Sequence, residues 1–241
     1  MNDTIAIIPA RSGSKSIKDK NIKLLCGHPL ISYSIIAAKL SKKINRVIVS
    51  TDSEEYAEIA SNYGAEVPFI RPSLLSSDAS SDREFLIHAM KWLKENENSC
   101  PEFWVHLRPT TPLREPNIVD EAIDLMYSNP NSTSLRSGHK APESPLKWFI
   151  ERDGFFKGLL SDEKYNLPKE SFEDVYIPNG YVDILKSSFI LKNEKVHGDS
   201  MLSFISPVST EVDSIEEFDI IEYQINKNKT ILLENLNKVK R

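Results

Sequence analysis

Short runs of β-branched residues alternate with longer amphipathic segments along the first half of the chain, and this alternation is the strongest constraint on its fold. The predicted strands cover residues 4–10, 46–53 and 103–110, with a short extended piece at 65–72. The predicted helices cover residues 29–42, 54–63, 81–97 and 115–128. Strands and helices that alternate over short joints build a sheet covered by helices on both faces. The sequence therefore predicts an α/β fold with a doubly wound, mainly parallel sheet.

Local signals mark several ends of these elements. Pro29 stands at the first turn of its helix, Gly64 ends the next one, and Ser81 or Asp82 caps the third. Ser214 is expected to cap a last helix at residues 214–226. Between these helices, residues 180–191 and 201–209 are predicted strands that return to the sheet. From residue 226 on, the chain is expected to be mixed in character and exposed.

The loop after the first predicted strand combines small residues with an unusual number of cations. Five basic residues fall within thirteen positions, Arg11, Lys15, Lys18, Lys20 and Lys23, with Ser12, Gly13, Ser14 and Ser16 among them. Backbone N–H groups in a turn of small residues approach phosphate oxygens closely, and the cations neutralise their charge. A solvated lysine-rich loop is the alternative. The loop lacks the glycine spacing of a P-loop or of a dinucleotide-binding turn, so it predicts a triphosphate site of another kind.

Composition limits the classes of partner and the compartment. The formal net charge of −5 argues against a broad nucleic-acid-binding face. Cys26 and Cys100 form no CxxC pattern, which argues against a thiolate metal site and a disulfide framework. No apolar run approaches the ~20 residues of a membrane span, and the first residues do not read as a signal peptide. We expect a cytoplasmic protein that binds neither nucleic acid nor membrane.

Several motifs resemble those of one enzyme family, and they occur in its order along almost the whole chain. The first is "IIPARSGSKSIKDKNI" at residues 7–22, and the others are "VIVSTDS" (47–53), "RPSLLSSDASSD" (71–82), "LRPTTPLREP" (107–116), "IPNGYVDI" (177–184) and "STEVDSIEEFD" (209–219). Together they resemble the N-acylneuraminate cytidylyltransferases, or CMP-sialic acid synthetases. The resemblance implies a Rossmann-like nucleotidyltransferase fold. It also implies a reaction, in which CTP and an acidic α-keto sugar give CMP-sugar and pyrophosphate with the assistance of Mg²⁺.

The same resemblance assigns roles to individual residues. It implies that Lys15, Lys20 and Asp213 act in catalysis, the two lysines by offsetting charge on the departing pyrophosphate. The residues implied to bind the nucleotide are Arg11, Gly13, Ser14, Lys15, Lys20, Asn21, Asp78 and Ser81. Those implied to bind the sugar are Arg108, Lys169, Asn179 and Tyr181.

Glu211 and Asp213 are the implied metal ligands. They alternate along an extended segment, so both side chains point the same way. Two carboxylates with phosphate oxygens and waters suit Mg²⁺, which rarely has a full protein cage. Taken without the other motifs, a Glu-x-Asp pair is common on solvated strands.

Three positions depart from the family pattern. Arg108 stands where many members have glutamine, and it is expected either to pair with the sugar carboxylate or to turn to the triphosphate. Glu211 replaces the usual aspartate, and Lys169 stands near a common arginine. These changes leave the sugar open among sialic, legionaminic, pseudaminic and related nine-carbon acids. The alternatives are an eight-carbon 3-deoxy-octulosonate substrate and a non-catalytic nucleotide-binding homologue.

The irregular segment at residues 136–178 is expected to be an excursion from a single domain that spans residues 1–241, and it would either cover the site as a lid or build a dimer contact. It is rich in proline, aromatic and charged residues, including Trp148, Phe149, Phe155 and Phe156. Irregular chain of this length in a compact domain is usually functional. These aromatic side chains would form either a small satellite core or the dimer contact that the resemblance implies, and we expect a homodimer.

Overall fold

Six strands form one sheet in the computed structural model, which describes residues 4–160 and 163–239. In chain order the strands of the protein are β1 (Thr4–Pro9), β2 (Leu24–Leu25), β3 (His28–Pro29), β4 (Arg46–Ser50), β5 (Phe103–His106), β6 (Ser134–Lys140), β7 (Phe149–Arg152), β8 (Phe155–Gly158), β9 (Tyr176–Lys186) and β10 (Met201–Ile205). The helices are α1 (Leu30–Leu40), α2 (Glu54–Asn62), α3 (Asp82–Glu97), α4 (Pro116–Tyr127), α5 (Ser187–Lys192), α6 (Ile215–Asn228) and α7 (Ile231–Val239).

The order of strands across the large sheet is β10-β6-β9-β5-β1-β4. β1 runs parallel to β4 and β5, and β10 runs parallel to β6. β9 lies between β5 and β6 and is antiparallel to both. The prediction of a doubly wound, mainly parallel sheet is therefore confirmed, with one antiparallel strand joining two parallel groups.

Both faces of the sheet are covered by apolar packing. Alternate residues of β1 face opposite ways, so Ile5 and Ile7 belong to the cluster under α3, while Ala6 and Ile8 belong to the cluster under α1. A strand buried on both faces needs a continuous apolar run, which is what the β1 sequence provides. The carboxyl ends of the parallel strands β1, β4 and β5 lie at the same edge of the sheet, where the loops that follow them can form a site.

Two parts of the C-terminal half differ from the prediction, whereas the extended piece predicted at 65–72 is present and makes isolated bridges, Ile48 to Glu66 and Thr51 to Ile70. The run at 180–191 is not one strand, because β9 ends at Lys186 and Ser187–Lys192 forms α5. The tail is not simply exposed, since α7 buries Leu232 and Leu236 against the core.

The segment between β6 and β9 carries the β7–β8 hairpin. Its aromatic side chains do not form a buried satellite core, because Phe155 is 72% exposed and Phe156 is 75% exposed. The ring of Phe149 lies 5.6 Å from that of Phe156 and 5.0 Å from that of Tyr165. The hairpin therefore holds an aromatic patch, made of Trp148, Phe149, Phe155 and Phe156, on the outside of the protomer.

In the part of the chain that the structure describes, none of the helices combines the length and apolar character needed to cross a bilayer.

Candidate active site

A cleft of about 440 Å³ opens at the carboxyl edge of β1 and β5. Its walls come from the loops after these strands and from the start of α3. The lining residues are Pro9, Arg11, Ser14, Lys15, Ser16, Lys20, Asn21, Arg71, Ser80, Ser81, Asp82, Phe85, Arg108, Pro109 and Thr110. The cleft thus brings together the cation-rich loop, Ser81 and Arg108, which lie far apart in the sequence.

The cation-rich loop, residues 11–21, is held by hydrogen bonds to Asp52 and by one hydrogen bond within the loop. Ser12 donates through its backbone N–H and its hydroxyl to the two oxygens of Asp52, at 2.7 and 2.9 Å. Asn21 donates through Nδ2 to the Arg11 carbonyl at 3.0 Å. Gly13 has φ +70, in the left-handed region that favours glycine. Asp52 therefore anchors this loop, while the neighbouring Ser53 caps α2 by accepting a hydrogen bond from the Tyr56 N–H.

Two cations of the loop share one carboxylate. The Arg11 guanidinium lies 2.7 Å from Asp78, and the Lys15 ammonium contacts the other oxygen of the same carboxylate. These hydrogen bonds, with Lys15 the stronger influence, lower the pKa of Asp78. Asp78 thus lies beside the loop, as the resemblance implied, but as a counter-ion to its cations. Ser81 caps α3 in a capping box with Glu84, so it also fixes the wall of the cleft.

Lys20 joins the loop to the segment of residues 211–213. Its side chain is almost buried, and Nζ donates to the Val212 carbonyl at 2.8 Å and to Asp213 at 3.2 Å. Val212 is fully buried, whereas Asp213 is exposed. The structure therefore brings a lysine that is predicted to neutralise the departing pyrophosphate into contact with a predicted metal ligand.

Glu211 and Asp213 form a pair of neighbouring carboxylates. Burial, and then the charge of Asp213, raise the pKa of Glu211. Among the described residues, no cluster of three or more His, Cys, Asp or Glu side chains forms a complete metal cage. Two hard oxygen donors that repel each other still fit Mg²⁺, because that ion takes its remaining ligands from phosphate and water.

Arg108 is held between two carboxylates. Its two terminal nitrogens lie 2.7 Å from Asp183 and 2.8 Å from Asp82. Burial alone would lower the pKa of Arg108, but Asp183 and Asp82 raise it overall. Sequence reasoning named Asp82 only as a candidate helix cap. It did not select Asp183, because the pairing of β5 with β9 that brings Asp183 to this place cannot be read from local pattern.

Asn179 and Tyr181 lie in the framework below the cleft and do not line it. The Asn179 amide accepts from the Ser137 hydroxyl at 3.0 Å and donates to the Ser206 hydroxyl at 2.8 Å. The Tyr181 hydroxyl accepts the Glu115 N–H at 2.6 Å, and the residue is only 2% exposed. The polar atoms of both side chains are bonded inside the protein, and their expected contact with a sugar stays a prediction.

Arg114 organises the same framework. It is fully buried and donates to the carbonyls of Tyr181, Arg108 and Gly180 and to the hydroxyl of Ser34. Burial lowers the pKa of Arg114 to about 9. Arg114 thus ties the loop after β5 to the middle of β9.

Lys169 lies outside the cleft of its own protomer. It is in the segment between the hairpin and β9, where it borders a small surface depression with Lys140, Glu173 and Asp174. The structure does not bring it together with Arg108.

Most of the residues that line the cleft belong to the sequence motifs that resemble one enzyme family. Residues 5–147 match the model of a family described as cytidylyltransferase. The chain belongs to the cytidylyltransferase family. The matched region holds the cation-rich loop, Asp78, Ser81 and Arg108, while Glu211 and Asp213 lie beyond it.

Several bacterial proteins are similar to this cytidylyltransferase along most of its length. It is 39% identical to a pseudaminic acid cytidylyltransferase of Campylobacter jejuni, over 92% of this chain and 97% of the relative. It is 32% identical to a CMP-N,N'-diacetyllegionaminic acid synthase of the same species, over 94% of this chain and 96% of the relative. An N-acylneuraminate cytidylyltransferase of Escherichia coli is 31% identical over 96% of this chain, which spans only 55% of that longer protein.

A solved structure supports the fold. A CMP:2-keto-3-deoxy-manno-octonic acid synthetase complexed with CTP superposes with a TM-score of 0.71 at 14% identity, covering 94% of this chain and 99% of that one. The cytidylyltransferase therefore has the architecture of that solved enzyme.

Arg71 is a cleft residue of this cytidylyltransferase that sequence reasoning missed. It is 4% exposed and donates through Nε to the Ser50 hydroxyl at 3.0 Å, while its guanidinium lies 5.0 Å from the centre of the Phe85 ring. Burial lowers the pKa of Arg71 to about 10. Arg71 opens the motif at residues 71–82, but its position before Pro72, in a segment with no regular period, did not indicate that its side chain lines the cleft.

Proposed function

We propose that this chain couples CTP to an acidic nine-carbon α-keto sugar and releases pyrophosphate. The observation that carries the proposal is the contact of Lys20 with Val212 and Asp213, which joins the cation-rich loop to the carboxylate pair. A nucleotidyl transfer needs cations for the leaving group and hard oxygen ligands for a metal in one place. The family membership and the named relatives support this reading.

The chemistry is a displacement at phosphorus. The anomeric hydroxyl oxygen of the sugar attacks the α-phosphorus, and the bond to the bridging oxygen of pyrophosphate breaks as the hydroxyl proton is lost. Positioning and charge neutralisation supply most of the catalysis in such reactions. Arg11, Ser14, Lys15 and Asn21 would hold the triphosphate in this chain, and Lys15 and Lys20 would neutralise the departing pyrophosphate.

Glu211 and Asp213 would hold Mg²⁺. When bound, the ion would neutralise charge on the phosphate oxygens. The support for this assignment is the closeness of two hard carboxylates, one of them held against Lys20, since a divalent cation would relieve the repulsion between them.

A nine-carbon substrate is favoured over 3-deoxy-octulosonate. Relatives at 31% to 39% identity are named for N-acylneuraminate, legionaminic and pseudaminic acids, whereas the octonic acid synthetase matches at 14%. The non-catalytic alternative is less supported, because Lys15, Lys20 and both carboxylates are all present. The product would serve in the synthesis of surface glycans. The protein itself would work in the cytoplasm.

The aromatic patch of the β7–β8 hairpin supports a homodimer. Its four aromatic residues are each between 45% and 75% exposed, which is costly on an isolated protomer. A second copy of the chain would cover them, and Lys169 in the same excursion would then belong to the contact region.

Pyrophosphate release tests the reaction. The assay contains Mg²⁺, CTP and one sugar from a panel of N-acetylneuraminic, legionaminic and pseudaminic acids, with 3-deoxy-octulosonate as the outgroup. We expect release with one nine-carbon sugar well above the others. Release with 3-deoxy-octulosonate alone would establish the eight-carbon alternative. Binding of CTP without release from any sugar of the panel would favour the non-catalytic reading.

A further inference from the structure

The part of the cleft around Arg108 differs in charge from the part around the cation-rich loop. Arg11, Lys15 and Lys20 carry three positive charges against Asp78 and Asp213. At the other end, Arg108 is matched by both Asp82 and Asp183, and Arg136 lies 3.9 Å from the second oxygen of Asp183. The triphosphate therefore belongs at the loop, and the sugar belongs at the Arg108 end.

The two carboxylates change what Arg108 recognises. A free guanidinium is a good receptor for a carboxylate, because it offers a positive charge and two parallel donors. Here a sugar carboxylate would be the third anion around one guanidinium. The expectation that Arg108 pairs with the sugar carboxylate is therefore disfavoured by the charges that already surround it.

Arg108 and Asp82 together present a donor beside an acceptor. A guanidinium has five N–H donors, and Asp183 and Asp82 use one nitrogen each, so donors remain. The Asp82 carboxylate lines the cleft, and its side chain is 40% exposed, so it keeps acceptor capacity towards the ligand. A neutral amide matches this pair, with its C=O accepting from Arg108 and its N–H donating to Asp82.

Asp183 fixes the orientation of this pair from below. Its side chain is 2% exposed, and it stands opposite His106 on β5 and Arg136 on β6. Within the described chain, the Oδ1 atom of Asp183 and both ring nitrogens of His106 are buried without a hydrogen-bond partner. The neutral His106 ring therefore does not compete with Arg108 for Asp183. Arg108 donates a hydrogen bond to Oδ2 of that carboxylate at 2.7 Å, whereas Arg136 lies 3.9 Å from Oδ1, beyond hydrogen-bond distance.

We propose that Arg108 and Asp82 read an acylamino group of the sugar, and that Asp183 is the positioning residue that holds Arg108 for this contact. The inference rests on the proposed function and deepens it by assigning the group on the sugar that sets specificity. The N-acyl sugars in the names of the relatives carry such groups.

The test is a ratio of kcat/KM values for two sugars. One is the acylamino sugar of the panel with the highest kcat/KM, and the other is its counterpart in which a hydroxyl replaces that acylamino group. We expect the wild type to prefer the first about tenfold, as for one hydrogen bond to a charged group. Arg108→Lys retains the charge between the two carboxylates but loses the planar fork, and Asp82→Ala removes the acceptor. Both variants should bring the ratio close to one.

Asp183→Asn should lower the ratio in the same way, and its effect should not add to that of Arg108→Lys in the double variant. A merely structural role would lower the melting temperature and reduce kcat/KM equally for both sugars. Arg46→Lys is the matched control, because Arg46 is also held by two carboxylates, Glu66 and Glu97, at the opposite end of the strands. Asp124→Ala is the control for Asp82→Ala.

An unchanged ratio in the Arg108 and Asp82 variants would overturn the inference while leaving the proposed function intact. Equal losses for both sugars would also overturn it, because they would place Arg108 on the carboxylate that the two sugars share. Absence of pyrophosphate release by the wild type with every sugar would instead overturn the proposed function, and the inference with it.

Discussion

The Arg11 guanidinium lies 2.7 Å from the carboxylate of Asp78, and Lys15 contacts that carboxylate from the other side. The two cations proposed for the triphosphate are thus paired with an exposed counter-ion when no nucleotide is present. Exposed ion pairs are weak, so a ligand with several phosphate charges readily displaces one carboxylate.

Replacing Asp78 should strengthen the binding of CTP. Asp78→Asn removes the competing charge, and we expect the Kd for CTP to fall about threefold at low salt, with a smaller effect at high salt because of screening. Isothermal titration calorimetry at two salt concentrations measures both values. A rise in Kd would show that Asp78 contacts the nucleotide directly, as the sequence resemblance implies.

Lys20→Ala should lower turnover much more than nucleotide affinity. If Lys20 acts on the departing pyrophosphate, kcat should fall about 100-fold or more, while the Kd for CTP changes about threefold or less. Lys18→Ala is the matched control, since Lys18 is an exposed lysine of the same loop. Equal losses in kcat and in CTP affinity would assign Lys20 to ground-state binding.

Glu211→Gln should make the metal-free protein more stable at neutral pH. The pKa of Glu211 is raised by burial and by Asp213, so its charged form is disfavoured in the folded state. This penalty is complete above the raised pKa and vanishes below the ordinary carboxyl pKa of about 4.3. We expect a Tm about 2 °C above that of the wild type at pH 7 and no difference near pH 3.5.

The same variant should lose the response to Mg²⁺. Mg²⁺ should raise the Tm of the wild type through binding to the folded state, but not that of Glu211→Gln or Asp213→Asn. Removal of Mg²⁺ with a chelator should stop turnover. A full Mg²⁺ response in Asp213→Asn would exclude Asp213 from the metal site.

Arg114→Met should destabilise the fold. The substitution removes four hydrogen bonds and leaves the carbonyls of Tyr181, Arg108 and Gly180 without this donor. We expect a loss of about 3 kcal/mol and a fall in Tm of about 6 to 12 °C. Arg46→Met, which breaks ion pairs at a partly exposed position, should cost about 1 kcal/mol or less. Similar Tm values for the two variants would contradict the framework role of Arg114.

Phe156→Ser in the hairpin should convert dimers into monomers. Phe156 is 75% exposed on the protomer, so the substitution removes apolar surface without opening a cavity in the core. Light scattering after size-exclusion chromatography measures the mass. Leu74→Ser is the control, because Leu74 is 84% exposed outside the hairpin. A monomeric wild type, or a variant that stays dimeric, would overturn the assignment of the patch.

The elements with local signals could be predicted from the sequence. The capping boxes at Ser81 and Ser214 and the positive φ of Gly64 are where the residue types place them. The boundary between β9 and α5 could not be found, because a short buried apolar run has the same pattern in a strand and in a helix. The burial of α7 depends on a docking surface formed by residues distant in the sequence, such as His28, whose Nε2 donates to Asn237 Oδ1 at 3.0 Å.

In the candidate site, too, some residues could be predicted from the sequence and others could not. The cation-rich loop, including Lys20, could be predicted because its residues are contiguous, whereas the specific roles of Lys20 and Asp213 were assigned only through the resemblance. Asp183 could not be found, since its place depends on the register that sets it opposite His106 across two antiparallel strands. Arg108 lines the cleft, but its charge balance follows from partners that are distant in the sequence.

The position of β9 sets a lower limit on how much of the chain can fold alone. The region that matches the family model ends at residue 147, before β9 begins at Tyr176. A fragment with that boundary would carry the cation-rich loop, yet β5 and β6 would face each other across the width of a missing strand, each with an unsatisfied row of peptide groups. The recognisable family region and the autonomous folding unit are therefore different lengths of the same chain.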